Sequence, residues 1–121
     1  MTDHEAKKAI AYHEAGHCVG ALSGNVRDIL SWIRKENQNW KGMTTIPLNV
    51  DDVTKFNQTI SGPVAERLTL GFFSEHAENE LTNAHESFCA VTKSALTLET
   101  SFELTERVLR HYWPLVEHIA S

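Results

Sequence analysis

The sequence predicts an α+β fold, mostly helical, in which a long first helix is followed by one small antiparallel sheet and then a helical bundle. Three observations lead there. Residues from Asp3 to Ser23 repeat small and apolar side chains at three- and four-residue steps, the period of one helix face. Two segments rich in β-branched and aromatic residues, "DILSWIRK" and "MTTIPL", flank a polar stretch. Beyond Asp51 the chain is punctuated by helix caps and breakers.

Taken in order, Thr2 and Glu5 have the spacing of a capping box, so the first helix starts near Asp3. Ala6, Ile10, His13, His17 and Ala21 mark its face, and Ser23-Gly24-Asn25 ends it. The strands are expected over 28–35 and 43–48, with "ENQNWKG" as the turn between them and Pro47 stopping the second. Asp51-Asp52 can cap a second helix through Val53, Phe56 and Ile60, which Gly62-Pro63 interrupts or bends. "VAERLTLG" then closes on Gly71 as a C-terminal cap. After a loop around "FFSEHAE", a third helix is expected from about Glu78 to Leu98. The tail from Ser101 to Ile119 supplies at least one more, with Pro114 in its middle. Its apolar face is read as Leu104, Val108, Leu109, Tyr112, Leu115, Val116 and Ile119.

The length of 121 residues suits one domain spanning 1–121. Hydrophobic content of 41% and charged content of 22% are those of an ordinary globular protein. No apolar run approaches the roughly 20 residues needed to cross a bilayer, and Thr2, Asp3, His4 and Glu5 stand where a signal peptide would turn apolar. The expected compartment is the cytoplasm, with no membrane partner. A formal charge of −5 argues against nucleic acid, whose phosphates need a basic patch. Cys18 and Cys89 form no CxxC pattern and read as two buried thiols.

The chemistry is concentrated in "AYHEAGHCVGAL". Helical residues four apart stand one above the other, so His13 and His17 can aim both imidazoles at one ion. Glu14 projects beside them, close enough to take a proton from a water held there: the HExxH arrangement of zinc peptidases. The flanking Ala11, Ala15, Gly16 and Val19 are small or apolar, which puts the motif in the interior. Two histidines and a glutamate are costly there unless something pairs them, and a divalent cation does. Gly16 in mid-helix costs about 1 kcal/mol relative to Ala, so another backbone or a ligand comes close.

A third protein ligand is needed, and His76, Glu80, His85 and Glu86 are candidates, with His111 and His118 more remote. Spacing alone does not choose among them. "AYHEAGHCVGAL" resembles the zinc helix of the FtsH family of ATP-dependent proteases, which carries HEAGH followed by small apolar residues. "KGMTTIP" resembles that family's Gly-x-Thr strand ending near proline, and "SGPVAERLTLG" its Gly-Gly-Arg-x-Ala-Glu-Glu helix closing on Phe-Gly. In the family an Asn-Asp-Leu segment follows, whose aspartate is the third zinc ligand. Asn79-Glu80-Leu81 stands there in this chain, gap-free from Gly62 onward, with Ala84 at the family's small residue. The resemblance therefore implies Glu80 as the third ligand, a carboxylate one methylene longer than aspartate. His85 and Glu86 then read as helix surface or as groups behind the ligands, and His76 as a loop residue near the site.

The same resemblance implies a zinc-dependent endopeptidase in which His13, His17 and Glu80 hold the metal and Glu14 is the general base. Glu66 is placed either to orient a ligand histidine or to form a surface ion pair. Thr44, Thr45 and Ile46 of the second strand could hold substrate as an added strand. The sequence departs from the family at Pro63, where arginine is usual, and at Cys18, where alanine is common. It shows no nucleotide-binding domain, Walker motif or membrane anchor, and it is shorter than the family's protease domain. The expected substrate is a peptide or already unfolded protein, with a homo-oligomer or a partner ATPase implied by the family. The alternative is an inactive metal-binding peptidase-like domain that serves as a binding or adaptor module.

Overall fold

In the computed structural model, which describes residues 2–93, 95 and 97–121, helices dominate and one two-stranded antiparallel sheet accompanies them. The order is α1 (Asp3–Ser23), β1 (Leu30–Glu36), β2 (Asn39–Thr45), α2 (Asp52–Leu70), α3 (Glu75–Thr92), α4 (Leu98–His111) and α5 (Trp113–Ala120). The predicted class is the observed one.

Helix α1 opens with the predicted capping box: Glu5 N–H donates to Thr2 Oγ1 at 3.1 Å, and Thr2 N–H donates to Glu5 Oε1 at 3.2 Å. Its burial is wider than one face. Ala9, Ala11 and every residue from His13 to Ala21 are buried, because α2, the hairpin and α5 each pack against a different side. The tightest approach is to α2. A Cβ on Gly16 would overlap the Ser61 carbonyl oxygen and Ala65, and one on Gly20 would overlap the Ser61 side chain. This close approach is what the mid-helix glycine signalled.

The hairpin is in register from Leu30 opposite Thr45 to Glu36 opposite Asn39. Its turn is shorter than "ENQNWKG" suggested. Only Asn37 and Gln38 form it, with φ of 49° and 69°, the left-handed pair of a type I′ turn. Asn39 to Gly42 join β2, and the strand ends at Thr45, so Ile46 and Pro47 lie outside it. Trp40 explains the longer pairing. Its ring lies under the Lys7 and Lys35 ammonium groups, and its Nε1–H donates to Asp3 Oδ1 at 3.1 Å, tying the strand to the start of α1.

Helix α2 is capped by Asp51, whose Oδ1 accepts from Thr54 N–H at 2.7 Å, and it closes on Gly71 at φ 88°. Pro63 does not interrupt it. The proline is fully buried, so packing offsets the helical hydrogen bond it cannot make. Helix α3 starts earlier than expected because Ser74 caps it, and its C-cap is Lys93 at φ 56°. Residues 75–78 are therefore helical rather than loop. Leu98 belongs to α4, capped by Thr97; Ser94 and Leu96, within the helix expected to reach Leu98, lie outside the described residues. The tail splits at Tyr112, and Pro114 sits in the first turn of α5, where its missing N–H costs nothing.

The core joins Ala15 and Val19 of α1, Phe56, Ile60, Val64 and Ala65 of α2, and Leu81, Leu109 and Val116. Only part of the predicted tail face enters it. Leu109 and Val116 are 0% exposed, whereas Leu104, Val108, Tyr112, Leu115 and Ile119 are exposed. Ser101 and Thr105 take the inward positions instead.

Candidate metal centre

His13, Glu14 and His17 are 4%, 8% and 7% exposed, so the cost of burying them must be met by partners. One ligand atom from each falls within 4.8 Å of the other two, a buried group that could bind a metal ion. Helix α3 brings Glu80 to the same place. Its Oε2 lies 3.1 Å from His13 Nε2 and its Oε1 lies 3.1 Å from His17 Nε2. Two donors on one tetrahedral ion, each about 2.0–2.1 Å from it, stand roughly 3.3 Å apart. The observed separations are close to that.

The groups behind the ligands fix their orientation. His17 Nδ1–H donates to the Gln58 carbonyl oxygen at 2.7 Å. A carbonyl only accepts, so Nδ1 carries a proton and Nε2 is the nitrogen that faces Glu80. His13 Nδ1 faces Glu66 Oε1 at 3.2 Å, and Glu66 Oε2 accepts from Ser74 Oγ at 2.6 Å. Ser74 is also the cap of α3, so one side chain positions both the helix that carries Glu80 and the carboxylate that steadies His13. Gly62 is needed where it stands, because a Cβ there would collide with the His17 imidazole.

Both nitrogens of His13 and the Nε2 of His17 thus face carboxylate oxygens. Acceptors converging at about 3 Å repel unless positive charge sits between them, as a proton or a cation. Without metal the proton supplies it. Burial lowers the His13 pKa, but hydrogen bonds to Glu66 and Glu80 outweigh this and raise it to about 9. Burial raises that of Glu80, and the bonds from His13 and His17 overcome it, holding the carboxyl at about 2. Glu66 is lowered too, against its burial, by His13 and Ser74. A divalent cation would satisfy the same acceptors, and neutral imidazoles with a carboxylate are a donor set suited to one.

Glu14 takes its hydrogen-bond partner from the hairpin. Its Oε1 accepts from Thr44 Oγ1 at 2.6 Å, and Ser31 Oγ is 2.9 Å from that hydroxyl. With Thr44 donating to the carboxylate, Ser31 donates to Thr44. Gly42 completes the seat, since a Cβ there would overlap the Glu14 side chain. Thr44 thus lies against Glu14, while Thr45 ends the strand and Ile46 lines a separate hollow with Asp28 and Pro47. The strand residues that line the cleft at the site are Asn39 to Gly42.

Two of the clefts among the described residues border the metal-ligating side chains. One of about 510 Å³ runs between β2 and the His13–Glu14 face of α1, reaching Glu66 and Ser74. The other, about 590 Å³, lies between α2 and α3 over Phe56, Glu80 and Phe88. His76 lines both. His85 points elsewhere: its Nδ1 is 3.0 Å from Ser101 Oγ and its Nε2 is 3.6 Å from Cys89 Sγ. Cys18 is buried, and burial pushes its thiol up despite hydrogen bonding to Ser31 and Thr44. Cys89 is only partly buried.

Residue type does not reveal Gln58, which acts through its backbone, or Ser31, which acts on Glu14 through Thr44. Ser74 does carry a signal, as a serine three residues before the first buried position of α3, the spacing of an N-cap. Among the described residues no helix is long and apolar enough to cross a membrane. Compared with known proteins, the sequence matches no family model and no curated protein.

Proposed function

We propose that this chain is a zinc-dependent peptidase-like domain that hydrolyses peptide bonds in peptides or unfolded segments. His13, His17 and Glu80 would hold the metal and Glu14 would act as general base. The observation that carries the reading is the seat of Glu14. A metal held only for stability needs no oriented carboxylate beside its ligands, yet Thr44, Ser31 and Gly42 converge to hold one. The resemblance of HEAGH and Asn79-Glu80-Leu81 to the FtsH zinc peptidases supports it as well.

Bound zinc would supply a Lewis acid for a peptide carbonyl and lower the pKa of an attacking water. Glu14 would take the proton from that water and return it to the leaving amine. Glu66 would keep the His13 ring turned toward the metal, and the Gln58 carbonyl would do the same for His17. The free edge of β2 along Asn39–Gly42 offers backbone groups to an extended substrate.

Zinc content and cleavage of an unstructured polypeptide, in wild type and Glu14→Gln, test the proposal. Wild type should bind zinc and cleave; Glu14→Gln should keep the zinc and lose cleavage by at least about a hundredfold. Glu80→Ala should lose zinc. Bound zinc without any Glu14-dependent cleavage would overturn the enzymatic reading in favour of a metal-bearing binding module.

A further inference from the structure

We propose that His76 is a fourth protein ligand that closes the metal centre in the substrate-free protein and yields its place to a substrate carbonyl or water. This rests on the metal reading of His13, His17 and Glu80. His76 and Glu80 are four apart on α3, the same spacing as His13 and His17 on α1, so each helix presents a one-turn pair to the same place. His76 Nε2 is 3.6 Å from Glu80 Oε2, near the roughly 3.3 Å that separates two donors on one tetrahedral ion. Its ring centroid is 6.1 Å from that of His13, against 4.8 Å between His13 and His17.

The side chain is 82% exposed, so no packing holds the ring in one rotamer and it can move on and off an ion rapidly. Its position gives that motion a consequence. His76 lines both the cleft that reaches Glu80 and the cleft that reaches His13, so a ring turned onto the metal shields the ion from each. A site with four protein ligands is closed, and one with three leaves a position for chemistry. His76 decides between these states.

X-ray absorption on the zinc-loaded full chain reads the ligand set without an assay of activity. Wild type should show three imidazoles on zinc, and His76→Ala two with an added oxygen. Zinc affinity, measured against a chromophoric chelator, should fall about tenfold or more in His76→Ala. As an exposed position it should leave the circular dichroism unchanged. Two imidazoles in wild type, or equal affinities, would reduce His76–Glu80 to a surface ion pair and overturn the proposal while the metal centre stands. Failure of wild type to bind zinc would instead overturn the metal reading and this inference with it.

Discussion

The hydrogen bond from His17 Nδ1 to the Gln58 carbonyl leaves Nε2 as the nitrogen free to bind metal, and the pairing of His13 with Glu66 holds the second ring. Protonation competes with metal here. With its pKa raised to about 9, His13 must lose a proton before it can ligate. Zinc affinity should therefore rise about tenfold per pH unit through neutrality and level off near pH 9; competition titrations across that range check this, since a histidine at its ordinary value would level off near 6.5. The sign for stability is opposite. In the metal-free protein the raised His13 value stabilises the fold fully below about 6.5, and that contribution is lost as pH rises through about 9. The contribution of Glu80 is present above about 4.5 and lost as pH falls through about 2. The base can be disturbed without touching a ligand: Gly42→Ala drives a methyl group into the Glu14 side chain. We expect it to keep zinc by elemental analysis while peptide cleavage drops by at least about tenfold.

The elements set these side chains by how closely they approach. Helices α1 and α2 cross where Gly16 and Gly20 meet Ser61, which lets His17 lie over Gly62 and brings Glu66 under His13. The hairpin reaches the same helix from the other side and delivers Thr44 and Gly42 to Glu14. In α4 the inward line is narrow. Leu109 is fully buried beside Ser101 and Thr105, while Leu104 and Val108 face out. Leu109→Ala should destabilise the protein by about 2–5 kcal/mol through lost burial and the cavity left behind. Leu104→Ala should cost less than about 1 kcal/mol. Urea unfolding of the two variants measures the difference, and equal losses would mean that the helix presents a different face.

At the scale of the whole molecule, the centre ties together side chains from two helices whose backbones stay apart. Among the described residues no Cα of α1 comes within 8 Å of one in α3, yet His13 and His17 from the first meet Glu80 from the second. An ion there would cross-link them. At free zinc about a hundredfold above Kd the linkage is worth about 2.7 kcal/mol, so chelation should lower the melting temperature by on the order of 10 °C. An unchanged melting temperature would mean that the metal adds nothing to the fold. The sequence by itself determined the helix–hairpin–helix order, the caps at Thr2, Asp51 and Gly71, and the one-turn pairing of His13 with His17, because each depends on residues close together in the chain. The resemblance of Asn79-Glu80-Leu81 points to Glu80, and tertiary structure sets its carboxylate between the two rings. The tertiary structure alone decided that the Gln58 carbonyl, Ser31 and Gly42 serve the site and that His85 turns to Ser101. It also decided which apolar stripe of the tail is core. A backbone acceptor leaves no mark in residue type, and helical period tells which residues share a face but not what lies against it.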